Sequence, residues 1–192
     1  KTLDTLFWDE ERGGYCSTAS DAEPLIPRAR TILETATPSA NGTLLTVLTR
    51  MAFISGDVEY MNRASTLAAT FGDEMNRALN MAGTFISGVE YLATALMVVV
   101  VGHRRHARTQ ELVRTFWGKN VPHAVLVQVE PGQELPEGHP LTGKGMQGGQ
   151  PTAYVVQQGR VSTPITDAKV LAQGLTLPYQ LQQQQQQQQR TA

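Results

Sequence analysis

Four polar residues that could do chemistry together lie in one short stretch of the sequence, namely Arg28, Glu34, Ser39 and Asn41. A carboxylate beside a guanidinium can exchange a proton with a bound ligand when it comes within about 3 Å of the reacting oxygen. The hydroxyl and amide that follow can hydrogen-bond the same ligand. A structural alternative is commoner in proteins: Ser39 or Asn41 caps a helix, and Arg28 pairs with Glu34.

A second candidate is the run His103-Arg104-Arg105-His106, which follows a predicted strand and precedes a predicted helix. Such a position can bind phosphate at the helix N-terminus with the help of basic side chains. Phosphate-binding loops of this kind usually contain several glycines, as in GxGxxG, but here there is only Gly102. The alternative is therefore an ordinary solvated basic loop. The two histidines have no third ligand nearby, and we therefore expect no metal site and no cofactor.

Composition excludes several classes of protein. The formal net charge of the 192 residues is −1, which excludes a strongly basic nucleic-acid binder. The single cysteine, Cys16, excludes a disulfide scaffold and a CxxC redox centre, and no basic pair flanks it to activate the thiol. The most apolar run, over 96–101, is far shorter than the roughly 20 residues of a membrane span. Because no signal peptide is visible either, we expect a cytoplasmic protein without a membrane segment.

Charge and periodicity both change near residue 96. Residues 1–96 carry 12 acidic and 7 basic side chains, whereas residues 97–192 carry 5 acidic and 9 basic side chains. The first part has helical periodicity, and its short connections make neighbouring helices antiparallel. We predict helices over about 41–54, from Asp57 to Gly72, and over about 82–96. The first should bury one apolar stripe at 3–4 residue spacing: Leu44, Val47, Leu48, Met51 and Ile54.

The second part has the short apolar runs of β-strands. Strands over 97–101 and 123–129 flank a helix over 109–117, and a right-handed crossover would make them a parallel pair. A hairpin is predicted after a loop over 131–150 that is rich in glycine and proline. We assign 97–178 to a small α/β subdomain. Residues 179–192, which include the glutamine run 182–189, are predicted to be a disordered tail.

Four motifs occur in an order and spacing that resemble the C-terminal part of the spermatogenesis-associated protein 20 family, whose bacterial members are described as thioredoxin-domain proteins. The resemblance covers residues 3–175. The motifs are Phe7-Trp8-Asp9-Glu10-Glu11-Arg12-Gly13-Gly14-Tyr15, Ala36-Thr37-Pro38-Ser39-Ala40-Asn41, Thr152-Ala153-Tyr154-Val155 and Pro164-Ile165-Thr166-Asp167.

The resemblance implies a larger protein, in which a thioredoxin-like domain precedes an (α/α) helical toroid similar to N-acylglucosamine 2-epimerases and six-hairpin glycosidases. This chain would then be mainly α: it would supply the last hairpins of the toroid, a partial ring over 1–96, followed by the small α/β subdomain. We also expect it to be a fragment. A sugar-directed role follows only by analogy of fold. Glu34 would then be a catalytic carboxylate, and the groups that bind the sugar would be Arg28, Ser39, Asn41, Trp8 and Tyr15. A second catalytic carboxylate would have to come from the missing hairpins.

Two functional hypotheses remain open at this point. In the first, the parent protein binds or processes a sugar, and this chain holds an incomplete site. In the second, the toroid is a non-enzymatic scaffold that supports a thioredoxin-like domain and binds a protein partner. A fragment should also expose apolar faces that met the missing hairpins, so we expect self-association. Finally, Val156 and Val161 replace two hairpin cysteines of the family, and a pair of valines should face each other there.

Overall fold

The computed structural model describes residues 2–23, 27–136 and 138–175. The chain divides into two compact units, Lys1–Ala95 and Leu96–Ala192, here called the helical unit and the sheet unit. Together they make a mixed α/β protein with substantial helix and one small four-stranded sheet. The closed ring of helical hairpins stays a prediction. The predicted tail over 179–192 lies outside the described residues.

The helical unit contains the predicted helices at nearly the predicted bounds. Ser39 caps α2 with its hydroxyl, and Gly56 ends this helix in the left-handed conformation with φ of 72°. Asp57 caps α3 by accepting from the Glu59 N–H. These local signals place a two-residue connection between α2 and α3. The helices are α1 (Thr2–Phe7), α2 (Ala40–Ser55), α3 (Val58–Thr70), α4 (Gly72–Arg77) and α5 (Gly83–Thr94), with a 3-10 turn over Leu79–Met81 before α5.

The prediction of the buried stripe on α2 is wrong. α2 packs against α3 and α5 through a different face, made of Asn41, Gly42, Leu45, Leu48, Thr49 and Ala52. Of the five predicted residues only Leu48 is buried, and Val47, Met51 and Ile54 are exposed. The reason is that α2 carries apolar residues on two faces. Helical periodicity identifies a stripe, but it does not say which of two stripes this chain covers.

Small residues set the close approach of α2 to α5. A Cβ on Gly42 would lie 2.6 Å from the Phe85 backbone nitrogen, and one on Gly88 would lie 3.0 Å from the Gly42 carbonyl oxygen. Neither position therefore has room for a side chain without moving backbone. The two glycines let Leu45 and Phe85 meet in the core of the helical unit, where both are fully buried.

The sheet unit has the strand order β2-β1-β3-β4, with β1 at Leu96–Val101, β2 at Ala124–Val129, β3 at Thr152–Gln157 and β4 at Arg160–Val161. β1 and β2 are parallel, as predicted, and α6 (Ala107–Trp117) connects them. β3 runs antiparallel to β1 and forms a hairpin with β4. Val156 and Val161 are register partners in this hairpin, so the prediction that they face each other is confirmed.

Both faces of β1 are buried. Its six side chains are all at most 4% exposed, which explains why the sequence there is continuously apolar rather than alternating. One face contributes Leu96, Val98 and Val100 to a core with Leu112 and Phe116. The segment over 168–175 is helical, and Asp167 caps it as predicted by accepting from the Lys169 N–H at 2.7 Å. No helix among the described residues is both long and apolar enough to cross a bilayer.

Candidate functional site

A rigid turn joins Trp8 to Tyr15, which pair as an antiparallel β-bridge. Within it, the Asp9 N–H donates to the Gly14 carbonyl at 3.0 Å, and the Gly13 N–H donates to the Asp9 carbonyl at 2.9 Å. The Asp9 carboxylate also accepts from the Arg12 N–H at 3.0 Å, and this hydrogen bond is the largest cause of the lowered pKa of Asp9. Arg30, from outside the turn, donates to the Arg12 and Gly13 carbonyls, so these polar groups are already bonded within the protein.

Both glycines of the turn are required by their surroundings. Gly13 and Gly14 have φ of 70° and 82°, values that residues with a side chain rarely adopt. A Cβ at Gly13 would lie 2.4 Å from the Thr70 hydroxyl, and one at Gly14 would lie 2.7 Å from the Phe71 ring. The turn is therefore pressed against the C-terminal end of α3. Other residues at positions 13 and 14 would be disfavoured both by the positive φ values and by contacts with α3 and Phe71.

The two aromatic residues that flank the turn are buried. The Trp8 and Tyr15 rings meet edge to face with centroids 5.0 Å apart. The Tyr15 hydroxyl donates to Asp4 Oδ1 at 2.8 Å; burial, with a smaller contribution from Asp4, raises the pKa of Tyr15. The Arg63 guanidinium lies 4.5 Å from the Trp8 ring centroid. Trp8 is only 8% exposed, so Arg63 covers a ring face that a sugar would need for stacking.

Asn41 binds backbone in this structure. Its Oδ1 accepts from the Tyr15 N–H at 2.8 Å, and its Nδ2 donates to the Tyr15 carbonyl at 2.9 Å and to the Thr31 carbonyl at 3.0 Å. The side chain is 2% exposed. Asn41 thus ties the turn and the segment around Thr31 to the start of α2. Three of the four hydrogen bonds that an amide can make are used in this way.

Arg28 and Glu34 do not pair with each other in the arrangement found. The Arg28 guanidinium donates to the Leu6 carbonyl at 2.7 Å, at the end of α1, and to the Thr18 carbonyl at 3.1 Å. Glu34 Oε1 accepts a short hydrogen bond from the Thr84 N–H in the first turn of α5. Hydrogen bonds from Thr84 hold the pKa of Glu34 below its ordinary value, since they favour the ionised form. Both residues therefore bind helix ends.

An open cleft of about 400 Å³ lies between the turn and α3. Of the residues predicted for the site, only Trp8 lines it. The other lining residues were not predicted, although those on α3 recur at helical spacing, which is the signal that the sequence offers for them. The lining residues are Trp8, Glu10, Glu11, Arg12 and Gly13 from the turn, and Glu59, Asn62, Arg63, Thr66 and Thr70 from α3.

The basic loop of the sheet unit has its own carboxylate. Glu130, at the end of β2, accepts from the Arg104 N–H at 3.1 Å and lies 3.1 Å from His103 Nδ1. The His106 ring caps α6 by accepting from the Arg108 N–H at 3.3 Å. These hydrogen bonds use the Arg104 and Arg108 backbone N–H groups within the protein, which fits the solvated-loop alternative. Among the residues that the structure describes, no group of three or more His, Cys, Asp or Glu side chains could hold a metal ion.

The fold and cleft thus define a two-unit α/β protein with a polar surface cleft in its helical unit. No protein-family model matches the sequence. The chain is similar to spermatogenesis-associated protein 20 from Homo sapiens, with 30% identity over 171 residues, and from Mus musculus, with 29% identity over 173 residues. These matches cover 86% of this chain. They confirm the resemblance that the four motifs indicated.

The matched region is a small part of each relative. The chain spans 22% of the length of the human protein and 21% of the length of the protein from Rattus norvegicus, to which it is 27% identical over 169 residues.

Proposed function

We propose that the helical unit supplies one wall of a carbohydrate-binding site in a larger protein, and that it contains no complete catalytic site. The observation that carries this proposal is the cleft between the turn and α3. Sugars are recognised by planar side chains that accept and donate several hydrogen bonds at once. The cleft offers such groups from two directions.

The chemistry of the lining suits hydroxyl groups better than a strongly charged ligand. The lining includes three carboxylates, from Glu10, Glu11 and Glu59, and two guanidinium groups, from Arg12 and Arg63. Arg12 already pairs with Asp9 at 2.9 Å and Arg63 lies 3.7 Å from Asp4, so the cleft does not favour an anion. Asn62, which donates to Glu59 Oε1 at 3.4 Å, and the hydroxyls of the two threonines complete a surface of mixed donors and acceptors.

The catalytic role predicted for Glu34 stays a prediction. Its carboxylate accepts from the Thr84 N–H at the start of α5, and Glu34 does not line the cleft. The sugar-binding roles of Arg28, Ser39, Asn41 and Tyr15 stay predictions too. Asn41 supports a positioning role, because its amide binds the Tyr15 backbone at the end of the turn that carries Glu10, Glu11 and Arg12. Arg28 binds the Leu6 and Thr18 carbonyls, and Ser39 caps α2. Trp8 contributes to the cleft from beneath Arg63 rather than as an open stacking face.

Titration with monosaccharides tests this proposal. In saturation-transfer NMR with aldoses and N-acylated sugars, we expect a specific signal that Asn62→Ala and Glu59→Gln each weaken by about tenfold, as loss of one ligand hydrogen bond does. Asn76→Ala, an exposed change on α4 outside the cleft, is the matched control and should bind as the wild type does. If neither Asn62→Ala nor Glu59→Gln weakens sugar binding, the sugar does not bind in this cleft.

A second candidate function is a non-enzymatic scaffold that binds a protein partner. Two observations favour it. The polar side chains predicted for a ligand site form hydrogen bonds within the protein instead: Arg28, Glu34, Ser39 and Asn41. In addition, α2 has exposed apolar residues. No response to any aldose or N-acylated sugar in the same titration would favour this second function over the first.

A further inference from the structure

The dipeptide Asn41-Gly42 is the only place in the sequence where glycine follows asparagine. Asparagine is a thermolabile residue, and it is most reactive before glycine, because glycine has no Cβ to obstruct the approach of its own backbone nitrogen. In the reaction the Gly42 nitrogen loses its proton to water and bonds to Asn41 Cγ, while the side-chain nitrogen takes up a proton and leaves as ammonia. Water then opens the resulting succinimide ring to give aspartate or isoaspartate.

The fold requires both residues of this dipeptide. Asn41 binds the Tyr15 and Thr31 backbone groups, which takes one acceptor and two donors on a single buried side chain. At the next position, a Cβ would lie 2.6 Å from the Phe85 backbone nitrogen, so only glycine fits beside α5 without moving backbone. Neither residue can therefore be exchanged for a less reactive one without a loss of hydrogen bonds or of packing.

In the folded protein both reacting groups already have hydrogen-bond partners. The Gly42 N–H donates to the Ser39 hydroxyl at 3.3 Å in the first turn of α2. The Asn41 carbonyl oxygen and both protons of its amide group are bonded to backbone of the turn and of the segment around Thr31. To react, the Asn41 side chain must rotate toward the nitrogen that follows it, and that rotation breaks these bonds. The reaction is therefore confined to states in which the helical unit has opened locally.

We propose that Asn41 is a site of spontaneous deamidation that is controlled by opening of the helical unit, and that the products prevent the unit from closing again. Aspartate at this position is an acceptor only at neutral pH. It would bury a negative charge against the Tyr15 and Thr31 carbonyl oxygens, to which the amide had donated. The isoaspartate product also inserts a carbon atom into the backbone at the start of α2. Opening thus becomes irreversible once Asn41 reacts, which limits the lifetime of the unit. This proposal does not depend on the ligand of the cleft.

Peptide mapping by mass spectrometry tests the proposal, because it separates asparagine, aspartate and isoaspartate at position 41. In mildly alkaline buffer, the 192-residue chain should lose Asn41 at least about a hundredfold more slowly than it does in concentrated urea, since only the open fraction reacts. Leu45→Ala destabilises the core without touching the amide, and it should speed the loss in buffer by at least about tenfold. Val47→Ala, on the exposed side of the same helix, is the matched control and should stay within about threefold of the wild-type rate.

A second measurement examines the product directly. Asn41→Asp reproduces one product and should lower the melting temperature at neutral pH by about 10 °C or more, whereas Asn76→Asp, at an exposed position of α4, should change it little. Three results would overturn the proposal. Equal loss of Asn41 in buffer and in urea would show that the fold gives no protection. Equal rates for Leu45→Ala and Val47→Ala would separate the reaction from opening. An Asn41→Asp chain that melts with the wild type would show that the product still closes.

Discussion

The strand β1 and the helix α2 show how differently burial follows from sequence in the two units. Every side chain of β1 is apolar and every one is buried, on both faces of the strand. α2 is also apolar on more than one face, but only the face with Leu45 and Ala52 is buried, whereas Val47, Met51 and Ile54 are exposed.

The difference comes from the number of neighbouring elements that cover each one. The sheet unit contributes two hydrogen-bonded neighbours to β1, one parallel and one antiparallel. The helical unit covers α2 with α3 and α5 on one side. The apolar pattern of β1 matches its burial, whereas the apolar pattern of α2 extends beyond the face that is buried.

Alanine substitutions on opposite faces give the largest expected effect and test this comparison directly. Leu45→Ala should cost about 3 kcal/mol of unfolding free energy because it leaves a cavity, whereas Val47→Ala should cost less than about 0.5 kcal/mol. In β1, Val98→Ala and Val99→Ala should each cost about 2 kcal/mol, since both side chains are fully buried. Urea denaturation measures all four. A large cost for Val47→Ala would contradict the one-sided burial of α2.

Removing the Asn41 amide should have the next largest effect. Asn41→Ala leaves the Tyr15 N–H and two carbonyls without their partner in a buried site, and we expect a loss of about 2–4 kcal/mol. Asn76→Ala is again the matched control, because Asn76 is exposed. Urea denaturation followed by circular dichroism measures this loss of stability. An unchanged stability would mean that the amide is free to bind a ligand, as the sequence-based hypothesis assumed.

A cysteine pair tests the register of the β3–β4 hairpin in the sheet unit. Gln158 and Gly159 both have positive φ, which makes the β3–β4 connection a two-residue turn with Val156 opposite Val161. The double variant Val156→Cys/Val161→Cys should form a disulfide, and its oxidised form should exceed its reduced form in stability by about 1–2 kcal/mol. Thermal melts with and without reductant measure this difference. Failure to oxidise would contradict the register.

The smallest effect is expected for Glu34 and depends on pH. Its pKa is lowered from 4.5 in the folded protein, so its contribution to stability is present above pH 4.5 and is lost as the pH falls through the lowered value. Glu34→Gln should therefore lower the melting temperature slightly at pH 7, and the difference should vanish in acid. Melting curves across this range test it. A difference that persists in acid would point to packing instead of charge.

Local signals predicted the elements better than the site. Ser39 and Asp57 cap the helices that they precede, and Gly56 ends α2, because each acts on backbone groups within a few residues. Val156 and Val161 could be paired in advance because a hairpin is also local. Glu34 illustrates the opposite case: its partner Thr84 is 50 residues away, and nothing in the spacing of the sequence indicates that α5 begins beside it.

Sequence patterns were enough to predict α2, α3, α5, the parallel strand pair and the hairpin, and to indicate the family that the chain resembles, but they did not predict α4. These properties rest on backbone conformation, side-chain periodicity and the identity of short motifs. Tertiary structure alone decided which face of α2 is covered, that Asn41 binds backbone, and that the turn and α3 enclose a cleft. The reason is that each of these depends on atoms far apart in the chain, whose meeting is fixed by the packing of whole helices.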